Sequence, residues 1–222
     1  MTNILVVAPH PDDETLGCGG TLLKHKSQGD SIHWLIITSM SKELGFSQEK
    51  IKARAEEIKK VSEKFGFSSV SNLELPPAYL DTFAMADIVK KIGSIFNRIQ
   101  PHTVYLPYRG DVHSDHKIVF DATMSCTKWF RYNFVKKILV YETLSETEFS
   151  VNPDFNGFHP NVFVNIDNYL EEKIDIFNIY KSEISEFPFP RSEKNIRSLA
   201  FFRGASSGFK SAEAFMLIRE LI

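Results

Sequence analysis

Asn3-Ile-Leu-Val-Val-Ala8 runs straight into Pro9-His10-Pro11-Asp12-Asp13-Glu14 and then into Thr15-Leu16-Gly17-Cys18-Gly19-Gly20. An apolar, β-branched run of this length reads as a buried strand. It stops abruptly at an imidazole and three carboxylates, after which a helix begins. Carboxylates crowded together repel one another and lose water, so the cluster alone costs folding energy. A bound cation reverses that cost. The stretch therefore predicts half of a divalent metal site at the carboxyl end of a first, buried strand.

Outward from that stretch, strand-like and helix-like patterns alternate. Strands are predicted at Asn3–Ala8, Ser31–Thr38, Val70–Leu75, Thr103–Leu106, Lys137–Tyr141 and Asn161–Ile166. Helices are predicted at Leu16–Lys26, Ser47–Phe65, Ala84–Ile99, Asn168–Lys181 and Ser192–Phe202, with Glu213 expected to anchor a C-terminal helix. In the second helix Ile51, Ile58, Val61 and Phe65 share a face, Ser47 suits the N-cap and Gly66 supplies the stop. This order predicts an α/β fold: a single-domain, Rossmann-like three-layer arrangement with a mostly parallel sheet and the site at the C-terminal strand ends. No repeat, low-complexity tract or linker divides the chain, so residues 1–222 are read as one domain.

Composition narrows the function classes. Hydrophobic residues make up 43% of the 222 and charged residues 24%, which supports a packed core and excludes a disordered chain. A net charge of −2 with dispersed Lys and Arg argues against nucleic acid or an anionic membrane as partner. The first apolar run is too short for a secretory leader and lacks its basic flank, and no segment reaches the roughly 20 apolar residues of a membrane span. Cys18 and Cys126 do not make a disulfide framework, so a reducing, cytoplasmic setting is expected. Phenylalanines crowd the last third (Phe187, Phe189, Phe201, Phe202, Phe215), which predicts a core plus a subunit contact in a homo-oligomer.

The fourth predicted strand runs into a second charged loop, Pro107-Tyr-Arg-Gly-Asp-Val-His-Ser-Asp-His116. In a parallel sheet it opens on the same edge as His10–Glu14. Three ligands drawn from the two loops, with water in the fourth position, make a catalytic zinc arrangement. Histidine and carboxylate donors suit zinc better than magnesium, and ferrous iron or cobalt would also fit. The Gly17–Gly20 glycines match neither a dinucleotide fingerprint nor a Walker loop, so they are read as close packing of the first helix on the sheet.

With both loops in this order, the chain resembles the PIG-L/LmbE family of zinc-dependent N-deacetylases, whose signature is an HPDDE loop and a later HxDH. Here these are His10-Pro-Asp-Asp-Glu14 and His113-Ser-Asp-His116. Arg54-Ala-Glu-Glu57 is similar to the family's RxxE. Arg203-Gly204, Gly208 and Ala212-Glu-Ala-Phe215 are similar to its C-terminal RG…G…AEAF, while Pro9 departs from the usual small residue. The resemblance implies that His10, Asp13 and His116 hold the metal and that Asp12 is the general base, with a second metal oxygen or a loop hydrogen bond as its rival. It also implies that His113 faces the developing oxyanion as an imidazolium oriented by Asp115. Arg54, Arg109 and Asp111 are substrate-binding candidates, a surface ion pair being the rival for Arg54. Glu14 reads as a cap of the following helix or as a charge that fixes the loop near the helix N-terminus, and His159 as structural.

The implied activity is removal of an acetyl group from an N-acetylated amino sugar, a small-molecule glycoconjugate of the N-acetylglucosamine type. Amide hydrolysis needs an activated water and a stabilised oxyanion, which this residue set can supply. Two rival readings use the same residues. A metal-dependent phosphoesterase would need a more basic pocket, and a sugar-binding protein would keep its metal for stability alone.

Overall fold

Alternate residues of the first apolar run face two different cores. Ile4, Val6 and Ala8 join one cluster, while Leu5 and Val7 join the other. A strand covered on both faces has no solvent side, which is why Ile4–Ala8 carries no polar residue. The computed structural model describes residues 1–150 and 157–222. Its strands are β1 (Asn3–Ala8), β2 (Ser31–Thr38), β3 (Ser69–Leu75), β4 (Thr103–Pro107), β5 (Lys137–Tyr141), β6 (Val162–Asn165) and β7 (Ala212–Glu220). Its helices are α1 (Asp13–Ser27), α2 (Gln48–Phe65), α3 (Met85–Ile99), α4 (Ser114–Ser125), α5 (Leu170–Phe177) and α6 (Glu193–Ala205).

The strands form one seven-stranded sheet in the order β3-β2-β1-β4-β5-β7-β6. Pairings from β3 through β5 are parallel, and only β7 runs against its neighbours β5 and β6. Helix α3 presents Ile88, Ile92, Phe96 and Ile99 to the second core, at the spacing of a single helical face. The chain winds outward from β1 to β3, then crosses back to lay β4 on the other side of β1. That reversal opens a crevice beyond the carboxyl ends of β1 and β4, where ligands bind in such sheets. The expected single α/β domain with a mostly parallel sheet is what forms. Among the described residues, no helix is long and apolar enough to cross a membrane.

Several boundaries differ from the sequence reading. Helix α1 begins at Asp13, inside the acidic loop, and α5 is shorter than expected. Helix α4 has no counterpart in that reading, which places its first residues in the second charged loop and assigns nothing to the rest. The expected C-terminal helix is instead the strand β7. Pairing with β5 on one side and β6 on the other overrides the helix-forming tendency of Ala-Glu-Ala-Phe-Met-Leu.

Glu213 consequently anchors α1. Cys18 has non-helical dihedrals that kink α1, and beyond it Gly20 N–H and Thr21 N–H donate to the Glu213 carboxylate at 2.9 and 2.7 Å. Buried Lys173 completes the joint by donating to Glu213 Oε1 and to Leu16 C=O. Of the crowded phenylalanines, Phe215 is buried in the core, whereas Phe187, Phe201 and Phe202 are exposed. Both cysteines are buried and free.

The glycines of α1 pack as expected. A Cβ on Gly17 would fall 2.2 Å from the Tyr141 ring, and one on Gly20 would fall 2.7 Å from Ile166. Tyr141 cannot easily retreat, because its hydroxyl donates to Val7 C=O at 2.8 Å. Gly17→Ala should therefore destabilise the fold by about 1–3 kcal/mol, the usual cost of overpacking a core. Urea denaturation checks this: a lowered midpoint at constant slope is expected, and an unchanged midpoint would contradict the packing account.

Candidate metal centre and active site

The first loop leaves β1 at Ala8 and is tied down immediately. Thr38, at the end of β2, donates to Pro9 C=O from both its amide and its hydroxyl. His10 N–H donates to Asp13 Oδ2 at 2.8 Å, folding the loop so that this oxygen also lies near the His10 ring nitrogen Nδ1. The second loop leaves β4 at Pro107 and ends at His113, the N-cap of α4, which puts His116 on that helix's first turn.

Asp13 Oδ2 lies 3.4 Å from His10 Nδ1 and 3.4 Å from His116 Nε2. The ligand atoms of His10, Asp13 and His116 all lie within 4.8 Å of one another. Each imidazole has its other nitrogen occupied. His10 Nε2–H donates to Asp115 Oδ2 at 3.1 Å, and His116 Nδ1–H donates to Asp111 Oδ2 at 2.7 Å. These carboxylates hold protons on His10 Nε2 and His116 Nδ1, so a cation that displaces the remaining protons would meet His10 Nδ1 and His116 Nε2 together. This is the outer-shell arrangement typical of metal-binding histidines. His116 Nε2 is buried and makes no well-directed hydrogen bond.

The electrostatics agree. Burial alone would lower the pKa of both imidazoles, but their carboxylates raise His10 to about 9 and His116 well above its ordinary value. Burial would raise Asp13, yet the two imidazoles hold it far below the carboxylate range. A site that draws positive charge this strongly, with two nitrogens and one oxygen converging, fits a divalent cation such as zinc. His10, His113 and Asp115 form a second cluster of similar reach. Most of its atoms are already engaged: Asp115 Oδ2 accepts from His10 and from Ala78 N–H, and His113 Nδ1 accepts the Asp115 N–H, while Asp115 Oδ1 is buried without a hydrogen-bond partner among the described residues.

Those bonds change two expectations. Asp115 supports His10 with its carboxylate, which stays 3.9 Å from His113 Nδ1, and it reaches His113 through its backbone N–H. An N–H donating to Nδ1 requires a lone pair there, so neutral His113 carries its proton on Nε2. Burial and the nearby imidazoles of His10 and His116 push the His113 pKa down, opposite to the imidazolium expected from the sequence.

Asp12 is buried and sits at the backbone φ of 136°, a region unfavourable for a residue with a side chain. Glu14 holds it there, with Oε2 accepting the Asp12 N–H at 3.0 Å. Fully buried Glu14 also bonds Thr15 and Tyr180, and burial pushes its pKa up to about 7. Burial, assisted by Asp13 and Glu183, raises the Asp12 pKa well above normal, while Arg191 opposes the shift from 3.1 Å.

Arg191 was missed in the sequence because it is a lone cation in a Phe- and Pro-rich stretch. Arg54 is neither a surface ion pair nor a free donor. It is buried beneath the loop, bonded to Pro11 C=O at 2.8 Å and to Glu57 and Glu183. Asp111 is turned inward onto His116 and Thr147 rather than toward a ligand. Arg109 is half exposed and paired with Asp121, outside the residues that line the cavity. His159 is exposed.

A cavity of about 500 Å³ opens over the cluster, lined by His10, Asp12, Asp13, His113 and Arg191 at its polar end. Met40, Phe46, Ile51 and Ile58 form an apolar wall, and Glu74 and Glu146, neither anticipated from sequence, also face it.

The diacetylchitobiose deacetylase of Thermococcus kodakarensis is 25% identical over 230 residues, covering 98% of this chain and 84% of that protein. The fold is shared with an N,N'-diacetylchitobiose deacetylase from Pyrococcus horikoshii (TM-score 0.77, 19% identity, 98% and 84% of the two chains). It is shared equally with GalB, a 4-carboxy-2-hydroxymuconate hydratase from Pseudomonas putida KT2440 (TM-score 0.75, 18% identity, 100% and 98%). Residues 5–127, more than half of the chain and including both charged loops, match the family described as PIG-L, GlcNAc-PI de-N-acetylase. The chain belongs to the PIG-L family.

Proposed function

We propose that residues 1–222 act as one metal-dependent deacetylase domain that hydrolyses the acetamide of an N-acetylated amino sugar. One observation carries the reading. A two-histidine, one-carboxylate cluster, a buried acid paired with Arg191 and a neutral histidine all converge on one cavity. The likeness to a diacetylchitobiose deacetylase supports the same substrate type.

His10, Asp13 and His116 would hold zinc, with ferrous iron or cobalt as substitutes. When bound, the ion would acidify a water and polarise the acetamide carbonyl. Asp12, whose burial raises its proton affinity, takes the proton of the attacking water and returns it to the departing nitrogen. Arg191 keeps that carboxylate facing the cavity. His113 offers its Nε2–H to the oxygen that gains charge, a role that a neutral imidazole with Nδ1 occupied by a backbone N–H can fill. Asp115 and Asp111 position the two histidine ligands.

A phosphoesterase reading is weaker, because both guanidiniums that line the cavity are already paired with carboxylates. Two free, buried thiols support a reducing, cytoplasmic setting.

Asp12→Asn in the zinc-loaded protein should lower kcat about 10²–10⁴-fold, the usual contribution of a general base, while metal content is retained. Amine release from N,N'-diacetylchitobiose and methyl N-acetylglucosaminide, with metal analysis alongside, checks this. Undiminished turnover would remove Asp12 from the mechanism, and no amine from the unaltered protein on either sugar would overturn the activity. Asp111→Ala should weaken zinc binding about 10–100-fold, as outer-shell losses do. Competition with a chelator reads that change, and unchanged affinity would mean that Asp111 does not set the His116 tautomer.

A further inference from the structure

Among the described residues, five carboxylates line the cavity (Asp12, Asp13, Glu74, Glu146 and Glu183), against the guanidiniums of Arg54 and Arg191 and no lysine. Both guanidiniums are already charge-paired with carboxylates, although Arg191 uses only Nη1 for this and its buried Nε has no partner among the described residues. Arg54 is held by Pro11 C=O, Glu57 and Glu183, and Arg191 by Asp12 and Glu183. With a divalent ion on the metal cluster, the lining carries four positive charges against at most five negative ones. Glu146, half-buried on the segment after β5, and Glu74, exposed at the end of β3, make no side-chain hydrogen bond or ion pair among the described residues.

We propose that the cavity selects an uncharged N-acetylated amino sugar and rejects the same sugar carrying phosphate or carboxylate, with Glu146 and Glu74 accepting hydrogen bonds from its hydroxyls. The proposal rests on the deacetylase reading and narrows its substrate class. A hydroxyl donating to a carboxylate makes a short, strong bond, whereas an anionic substituent in the same place meets like charge, with both lining guanidiniums already paired to carboxylates. Met40, Phe46, Ile51 and Ile58 supply an apolar wall for the C–H face of a sugar ring. The product fits as well, because hydrolysis turns a neutral amide into an amine that binds a proton near neutral pH.

The test compares three substrates on the zinc-loaded protein: methyl N-acetylglucosaminide, its 6-phosphate, and the dimethyl triester of that phosphate. The triester is uncharged but at least as large. The 6-phosphate should show kcat/KM lower by about tenfold or more, mainly through KM, and added salt should narrow the gap. The triester should resemble the parent glycoside, and Glu74→Lys should raise the ratio of phosphorylated to neutral kcat/KM several-fold. A 6-phosphate as good as the parent, or a triester as poor as the 6-phosphate, would overturn charge selection while leaving deacetylation intact. Acetate from none of the three would overturn the deacetylase reading, and this proposal with it.

Discussion

One carboxylate holds the two halves of the site together. Asp13 accepts the His10 N–H and stands 3.4 Å from an imidazole nitrogen on each loop. The loops are far apart in sequence and meet only because β4 returns to lie beside β1. A charge as buried as Asp13 is costly unless it is paired, and two imidazoles backed by Asp115 and Asp111 form a set that a divalent ion satisfies. Sheet topology thus brings the donors together, and their electrostatics define what belongs between them.

The rest of the loop is braced from below. Glu14, Tyr180, Arg54 and Glu183 form a buried polar layer under His10–Glu14, so the unfavourable backbone at Asp12 is held by neighbours on α2 and in the segment after α5. Strain at a residue whose side chain faces a cavity is a common mark of a functional position. The RxxE spacing acquires a physical meaning here. Arg54 and Glu57, one helical turn apart, pair with each other, and Arg54 carries the loop backbone. At the far end of the chain, Glu213 braces the kinked α1 in the same way, which links the C-terminal strand to the helix that begins at the metal cluster.

What was readable in the sequence follows physical lines. β1 and the strands beside it were visible because burial on both faces leaves them largely apolar. The two loops were visible because charge crowded at a strand end has few structural explanations. Helix α4 was hidden because it starts inside the second loop, with His113 as its cap and polar residues through its first turn. β7 was hidden because its residues favour helix in isolation, and only its two neighbours make it a strand. The inward turn of Asp111, the partner of Asp115, and the cavity positions of Arg191, Glu74 and Glu146 depend on contacts between distant segments. No local spacing encodes those contacts.

Fold alone does not select the reaction, since a hydratase shares this architecture. The account therefore stands on the cation between the loops. Anomalous diffraction at the zinc edge from crystals of zinc-loaded protein tests it most directly. One peak is expected about 2.0–2.2 Å from His10 Nδ1, His116 Nε2 and an Asp13 oxygen. No peak at that point, or a peak held instead by His10, His113 and Asp115, would contradict it.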